Sequence, residues 1–245
     1  MMLSVIYRYL GNILDRSSQT QRQAYNLPFF ITEEFLTFVL LSMRYTWNMD
    51  QQTIDVYNKM ALEYDQETTD FWVRFPVTFI DSFASKVRGK VLDVGSGPGR
   101  DALILKEKGL DITCLDASEE MVKLCLDKGL KAVVGDFNNL KFDDKSFGGV
   151  WAYTSLLHNL KADISKPLKE IYRVLSDDGI LGLGLIEGDF DGYRESSGMN
   201  MPRWFAFYKK DEIEAILMGC GFEIIHFEQF KPRSRNYLNY ICRKV

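Results

Sequence analysis

From Asp50 onward the apolar positions follow two rhythms. Ile54, Tyr57, Met60, Ala61 and Tyr64 recur at steps of three and four. That spacing predicts an amphipathic helix over 50–66, and a second helix follows over 69–86. Short apolar runs then alternate with helical stretches. Strands are expected at 90–94, 111–115, 132–134, 148–153 and 180–186, and helices at 100–108, 118–128 and 163–174. Residues 187–207 read as irregular. A helix at 210–218 and an antiparallel-looking pair of strands at 222–230 and 237–243 close the chain.

Strand–helix alternation of this kind implies a parallel sheet with helices on both faces. The runs VLDVG, AVVG and ILGLGLI are almost continuously apolar, as expected of strands covered on both sides. The predicted class is therefore α/β: a doubly wound, mostly parallel, seven-stranded sheet with an antiparallel strand at one edge.

The first 48 residues have a different character. They contain no lysine, the first being Lys59, and only fragments of helical periodicity. Two readings stay open: a genuine helical extension packing on the domain or on a second subunit, or a natural start at Met49 with an upstream reading before it. The second is favoured, and a single native mass beginning at Met1 would exclude it. The domain proper is expected over 49–245.

Composition narrows the partners. With 46% hydrophobic and 26% charged residues the chain is an ordinary globular sequence. Its formal charge of −4 argues against a nucleic-acid partner held by phosphate neutralisation. Cys114, Cys125, Cys220 and Cys242 lie far apart, without metal-ligand spacing, and read as reduced thiols in a cytoplasmic protein. The apolar run at 35–41 is too short to span a bilayer and follows acidic residues. No membrane association and no metal site are expected, and the protein is expected to be a monomer or homodimer.

The strongest chemical signal is Val91-Leu92-Asp93-Val94-Gly95-Ser96-Gly97-Pro98-Gly99-Arg100-Asp101. A buried strand ends in a glycine-rich turn that feeds a helix, where a ligand can approach the backbone unobstructed by a Cβ. Open α/β sheets bind ligands at such strand ends. The plain alternative is a tight turn without a ligand. A dinucleotide site would show GxGxxG. Here the spacing is GxGxG with an internal proline, and Asp93 would sit close to a pyrophosphate. An acid there suits a ligand carrying cationic ammonium and sulfonium groups.

This segment resembles motif I of the class I S-adenosylmethionine-dependent methyltransferases, close to the small-molecule methyltransferases, and the resemblance extends from about Thr53 to the end of the chain. It implies a Rossmann-like fold and S-adenosyl-L-methionine as cofactor, held by Asp93, Gly95, Ser96, Gly97 and Gly99. It further implies that Asp116 hydrogen-bonds the ribose hydroxyls beside Ala117, and that Met121 packs against adenine. Asp136 and Phe137, in a Gly-Asp-Phe turn, would read the adenine amino group. The resemblance puts Tyr153, in the stretch 150–158, towards the methyl group and acceptor. It places Tyr57 and Tyr64 on an N-terminal lid where a tyrosine can contact the methionine carboxylate; core packing is the equal alternative for that pair. In 173–181 the match is structural, with Gly179 expected to supply the positive φ of a helix end.

Other features bear on the acceptor. No Asn-Pro-Pro-Tyr or Asp-Pro-Pro-Tyr follows Tyr153, and there is no Pro-Cys nucleophile or acid-rich metal cluster. These absences favour a small-molecule acceptor. His158 is the candidate general base, with a loop-shaping histidine as the alternative; His226 reads as structural. The long stretch 188–205 mixes glycines with Tyr193, Arg194, Arg203 and Trp204. Loops of that length are commonly functional, and in similar methyltransferases this region caps the acceptor pocket. Tyr193, Arg194 and Arg203 are expected to contact an anionic acceptor; a solvated surface loop is the alternative. The rival functions are a catalytically silent cofactor-binding or partner subunit and a nicotinamide-dependent oxidoreductase.

Overall fold

The computed structural model describes residues 49–74, 77–196, 199–231 and 235–245. Both readings of the first 48 residues lie outside the described residues.

Helix α1 (Gln51–Lys59) starts at Asp50, whose carboxylate accepts from the Thr53 amide, the usual way to satisfy a free helical N–H. The expected helix 50–66 is interrupted at Met60, whose φ of −112° and ψ of 22° leave helical geometry. It resumes as α2 (Ala61–Thr68). The expected helix 69–86 is likewise divided, into α3 (Phe71–Arg74) and α4 (Thr78–Lys86). The sequence carries Pro76 between them, and proline has no amide to donate.

Seven strands then form one sheet: β1 (Lys90–Val94), β2 (Asp111–Asp116), β3 (Lys131–Val134), β4 (Phe147–Tyr153), β5 (Leu175–Ile186), β8 (Phe222–Phe230) and β9 (Tyr237–Lys244), in the order β3-β2-β1-β4-β5-β9-β8. The first five are parallel to one another, and β9 runs antiparallel to both β5 and β8. Helices α5 (Arg100–Glu107), α6 (Glu119–Asp127), α7 (Ser165–Val174) and α8 (Lys210–Gly219) connect the strands. This is the doubly wound sheet read from the sequence. Its strand order reverses between β1 and β4, so a crevice opens at their carboxyl ends.

Successive side chains on β4 feed two cores. Val150 and Ala152 pack with Leu181, Leu183 and α7, while Trp151 and Tyr153 pack with Phe79, Phe83 and Val91. β5 starts five residues earlier than expected, because Phe147 pairs with Leu175 before the register shifts to Gly149 and Ile180. Within that irregularity Asp178, at φ 59°, takes the left-handed conformation assigned to Gly179. Gly179 is required for space instead, since a Cβ there would lie 2.8 Å from the Ser176 carbonyl oxygen.

The stretch read as irregular contains a second, two-stranded sheet of β6 (Asp191–Ser196) and β7 (Met199–Ala206). Tyr193 pairs with Trp204 and Arg194 with Arg203. Helix α1 docks along β7: Gln52 Nε2 donates to the Pro202 carbonyl (3.0 Å), and the Trp204 amide donates to Thr53 Oγ1 (2.8 Å). Among the described residues no helix is long and apolar enough to cross a membrane.

Candidate functional site at the carboxyl ends of the central strands

The turn after β1 is built around close approach. Gly95 and Ser96 both donate their amides to the Leu115 carbonyl (2.7 and 3.1 Å), which fastens the turn to β2. Gly95 has φ 67°, and a Cβ added there would stand 2.3 Å from Cβ of Ser155. Only glycine meets both conditions. Asp116 holds the other side, accepting from the Gly97 amide (2.8 Å) and the Ser118 amide (2.9 Å). Gly99 caps α5 in the left-handed conformation. It does not line the cleft, and a Cβ there would strike Leu130.

The cleft encloses about 790 Å³ of empty space counted out to its mouth, within the range of small-ligand sites. Tyr57, Tyr64, Asp93, Gly95, Ser96, Gly97, Asp116, Ala117, Met121, Phe137, Tyr153 and His158 all line it. Asp136 does not; its carboxylate closes its own turn by accepting from the amide and side chain of Asn138. Thr53, Arg100, Asp101, Thr154 and Ser155 line the cleft as well; all but Thr53 stand in the two segments singled out in the sequence, without an individual role assigned there.

Two carboxylates at the floor behave differently. Asp101 is satisfied by the indole N–H groups of Trp72 (2.7 Å) and Trp151 (2.9 Å) and by Arg100 Nε (2.6 Å). Asp93 is 2% exposed, and its Oδ2 has no hydrogen-bond partner. Burial, reinforced by the charge of Asp101, raises its pKa well above the ordinary value. An unsatisfied buried carboxylate oxygen facing a cleft is a receptor for a cation or donor.

Helices α1 and α2, the segment expected to act as a lid, pack over the glycine turn. Asn58 Oδ1 accepts from Ser118 Oγ (2.7 Å), and Lys128 Nζ bridges Asp65 (2.6 Å) and the Pro98 carbonyl (2.8 Å). At the far end of the lid, Arg203 Nη1 donates to the Tyr57 hydroxyl (2.6 Å), which lies 2.8 Å from His158 Nε2. His158 Nδ1 lies 2.6 Å from the Trp204 carbonyl. Burial, then the charge of Arg203, pulls the His158 pKa down to about 3 against the help of that hydrogen bond. Both ring nitrogens are engaged by protein groups, which ties the turn after β4 to helix α1 and to β7.

The remaining expected acceptor residues separate. The Tyr193 hydroxyl donates to Asp50, and neither Tyr193 nor Arg194 lines the cleft. The Arg194 guanidinium lies over Phe190 and Phe207. Arg203 is buried, over the rings of Tyr57 and Phe205. Tyr153 stacks between Trp151 and Tyr237, with interplanar angles of 10° and 4°. Among the described residues no three His, Cys, Asp or Glu side chains gather as a metal site.

The methyltransferase domain family matches residues 92–183. An uncharacterized methyltransferase of Staphylococcus carnosus is 28% identical, over 52% of this chain and 65% of that protein. The demethylmenaquinone methyltransferase of Thermotoga maritima is 31% identical, over 55% of this chain and 70% of that protein. Among solved structures, the DhpI–SAH complex superposes with a TM-score of 0.65 at 19% identity, covering 80% of this chain and 97% of the other. The Burkholderia thailandensis 1,6-didemethyltoxoflavin-N1-methyltransferase, crystallised with S-adenosylhomocysteine, gives 0.60 at 21% identity, covering 78% and 88%. At these identities the superpositions speak to the fold.

Proposed function

The chain belongs to the class I S-adenosylmethionine-dependent methyltransferases, and from that premise we propose that it methylates a small, anionic acceptor entering between the lid helix and the β6–β7 hairpin. The observation that carries the reading is the unpartnered Asp93 oxygen below the glycine turn. It fits the ammonium of a bound methionine moiety and disfavours a pyrophosphate. Asp116 would hold the ribose with the lone pairs its two backbone bonds leave free. Leu115, Ala117, Met121 and Phe137 give the apolar slot an adenine needs. When bound, S-adenosylmethionine supplies a methyl carbon already activated by its sulfonium leaving group.

The protein's part is orientation and exclusion of water, which can contribute about 7–11 kcal/mol. The Arg203–Tyr57–His158 chain holds lid and hairpin together at the acceptor end. A small acceptor is supported by relatives whose names specify small molecules, such as the demethylmenaquinone methyltransferase of Thermotoga maritima. The test is S-adenosylhomocysteine release from purified protein given a panel of small carboxylates, amines and phenols. Release with a carboxylate-bearing acceptor, abolished in Asp93→Asn, is expected. Turnover only on protein or nucleic acid would contradict the proposal.

A further inference from the structure

Two arginines from separate parts of the chain meet at one phenyl ring. Arg194 on β6 places its guanidinium carbon 5.3 Å from the centre of Phe207, and Arg235, two residues before β9, lies 5.8 Å from the same centre. Arg194 also lies 5.5 Å from the Phe190 ring. Among the described residues neither guanidinium has a carboxylate within ion-pair distance, and Arg194 Nε is buried without a hydrogen-bond partner. The cations act on each other: burial, then the charge of Arg194, lowers the proton affinity of Arg235. Aromatic faces attract a guanidinium but leave its forked N–H donors unused. Converging like charges with donors to spare are the counterpart of a bound anion.

The place of the pair indicates which molecule brings that anion. Tyr237, close enough to Arg235 for their charges to interact, stacks on Tyr153, and Tyr153 lines the cleft. Arg194 is cross-strand neighbour to Arg203, which contacts the cleft residue Tyr57. Neither arginine lines the cleft itself; each is linked through these contacts to a cleft-lining tyrosine, Arg235 to Tyr153 and Arg194 to Tyr57. Arg203 and Tyr193, the other expected contacts, are engaged by Tyr57 and Asp50.

We infer that Arg194 and Arg235 form a carboxylate-binding subsite that selects the acceptor, with Phe190 and Phe207 as the apolar wall beside it. The subsite rests on the reading of this end of the cleft as the acceptor chamber. A planar carboxylate suits two guanidinium forks, which can each engage it through paired N–H···O bonds. Arg235 is thereby a specificity-determining residue that no sequence motif announces.

The experiment titrates the S-adenosylhomocysteine-loaded protein with benzoate and with benzamide, its uncharged counterpart of the same shape, followed by ligand-observed NMR. Affinity for S-adenosylhomocysteine is measured first in every variant. Benzoate is expected to bind at least about tenfold tighter than benzamide. Arg194→Gln and Arg235→Gln each remove that preference while keeping wild-type affinity for S-adenosylhomocysteine, and Arg194→Lys restores part of it. Absence of saturable benzoate binding, equal binding of the two probes, or a preference that survives either glutamine variant would overturn the subsite while leaving the cofactor reading intact. Failure of the wild type to bind S-adenosylhomocysteine would remove the proposed function and the subsite together.

Discussion

The Tyr57 hydroxyl donates its proton to Nε2 of His158 across 2.8 Å, joining residues 101 positions apart. The direction follows from the partners. The Trp204 carbonyl beside Nδ1 can only accept, so Nδ1 carries the proton of the neutral ring and Nε2 is left as an acceptor. Arg203 donates to the same hydroxyl from the hairpin. One oxygen thus connects the lid helix, the turn after β4 and β7.

Removing that oxygen in Tyr57→Phe leaves Arg203 and His158 each short of a partner. A loss of about 1–3 kcal/mol is expected for such buried groups, read as a lowered midpoint in calorimetric unfolding. An unchanged midpoint would show that the chain contributes nothing to holding the lid.

The same histidine sets a pH dependence. Its folded-state pKa of about 3 lies below the ordinary 6.5, so the unfolded chain takes up a proton first as the solution is acidified. The stability from this group is fully present above about pH 6.5 and drains as pH falls towards 3, by at most about 1.4 kcal/mol per pH unit. Asp93 and Asp116, whose pKa values burial raises, work in the opposite sense. Comparison with His158→Gln isolates the histidine: wild type should lose stability more steeply than the variant between about pH 6.5 and 4. Equal slopes would contradict the assignment.

Asp93 predicts a linked proton. Its raised pKa keeps the free protein partly protonated at pH values well above 3.8, whereas a cationic ammonium favours the carboxylate. Cofactor binding should therefore release a proton and weaken as pH falls. Titrations in buffers of different ionisation enthalpy measure the release, and buffer-independent heats at acidic pH would argue against it. Asp93→Asn should weaken S-adenosylmethionine binding by about 2–5 kcal/mol.

Two glycines with similar φ separate conformational cost from contact. Gly109, at φ 87°, has open space where a Cβ would stand, whereas Gly95 would drive one into Ser155. Gly109→Ala should cost only about 1 kcal/mol and spare cofactor affinity. Gly95→Ala should abolish cofactor binding even where circular dichroism shows folded protein. Retained affinity in Gly95→Ala would mean that the turn does not form the cofactor wall.

The central sheet was legible because each strand carries its own signal. Val91, Leu92 and Val94 are apolar around the single acid Asp93, and the glycines behind them stand in the sequence. The hairpin from Asp191 to Ala206 was not legible, because its apolar positions do not alternate. Its residues are matched between the two strands, Tyr193 against Trp204 and Arg194 against Arg203, and its β7 edge is satisfied by Gln52 and Thr53 some 150 positions earlier. The surroundings of His158 were not legible for the same reason: they are set by Tyr57 and Trp204, both remote in sequence. Arg235 stands in no motif, and only the return of the chain into β9 brings it to Phe207.

Calorimetric titration of the purified protein with S-adenosylmethionine, S-adenosylhomocysteine and NAD, with Asp116→Ala as the variant, shows whether this cleft holds S-adenosylmethionine. Micromolar binding, about −8 kcal/mol, is expected for the two S-adenosyl compounds alone, lost in the variant. Binding of NAD only, or of none of the three, would contradict it.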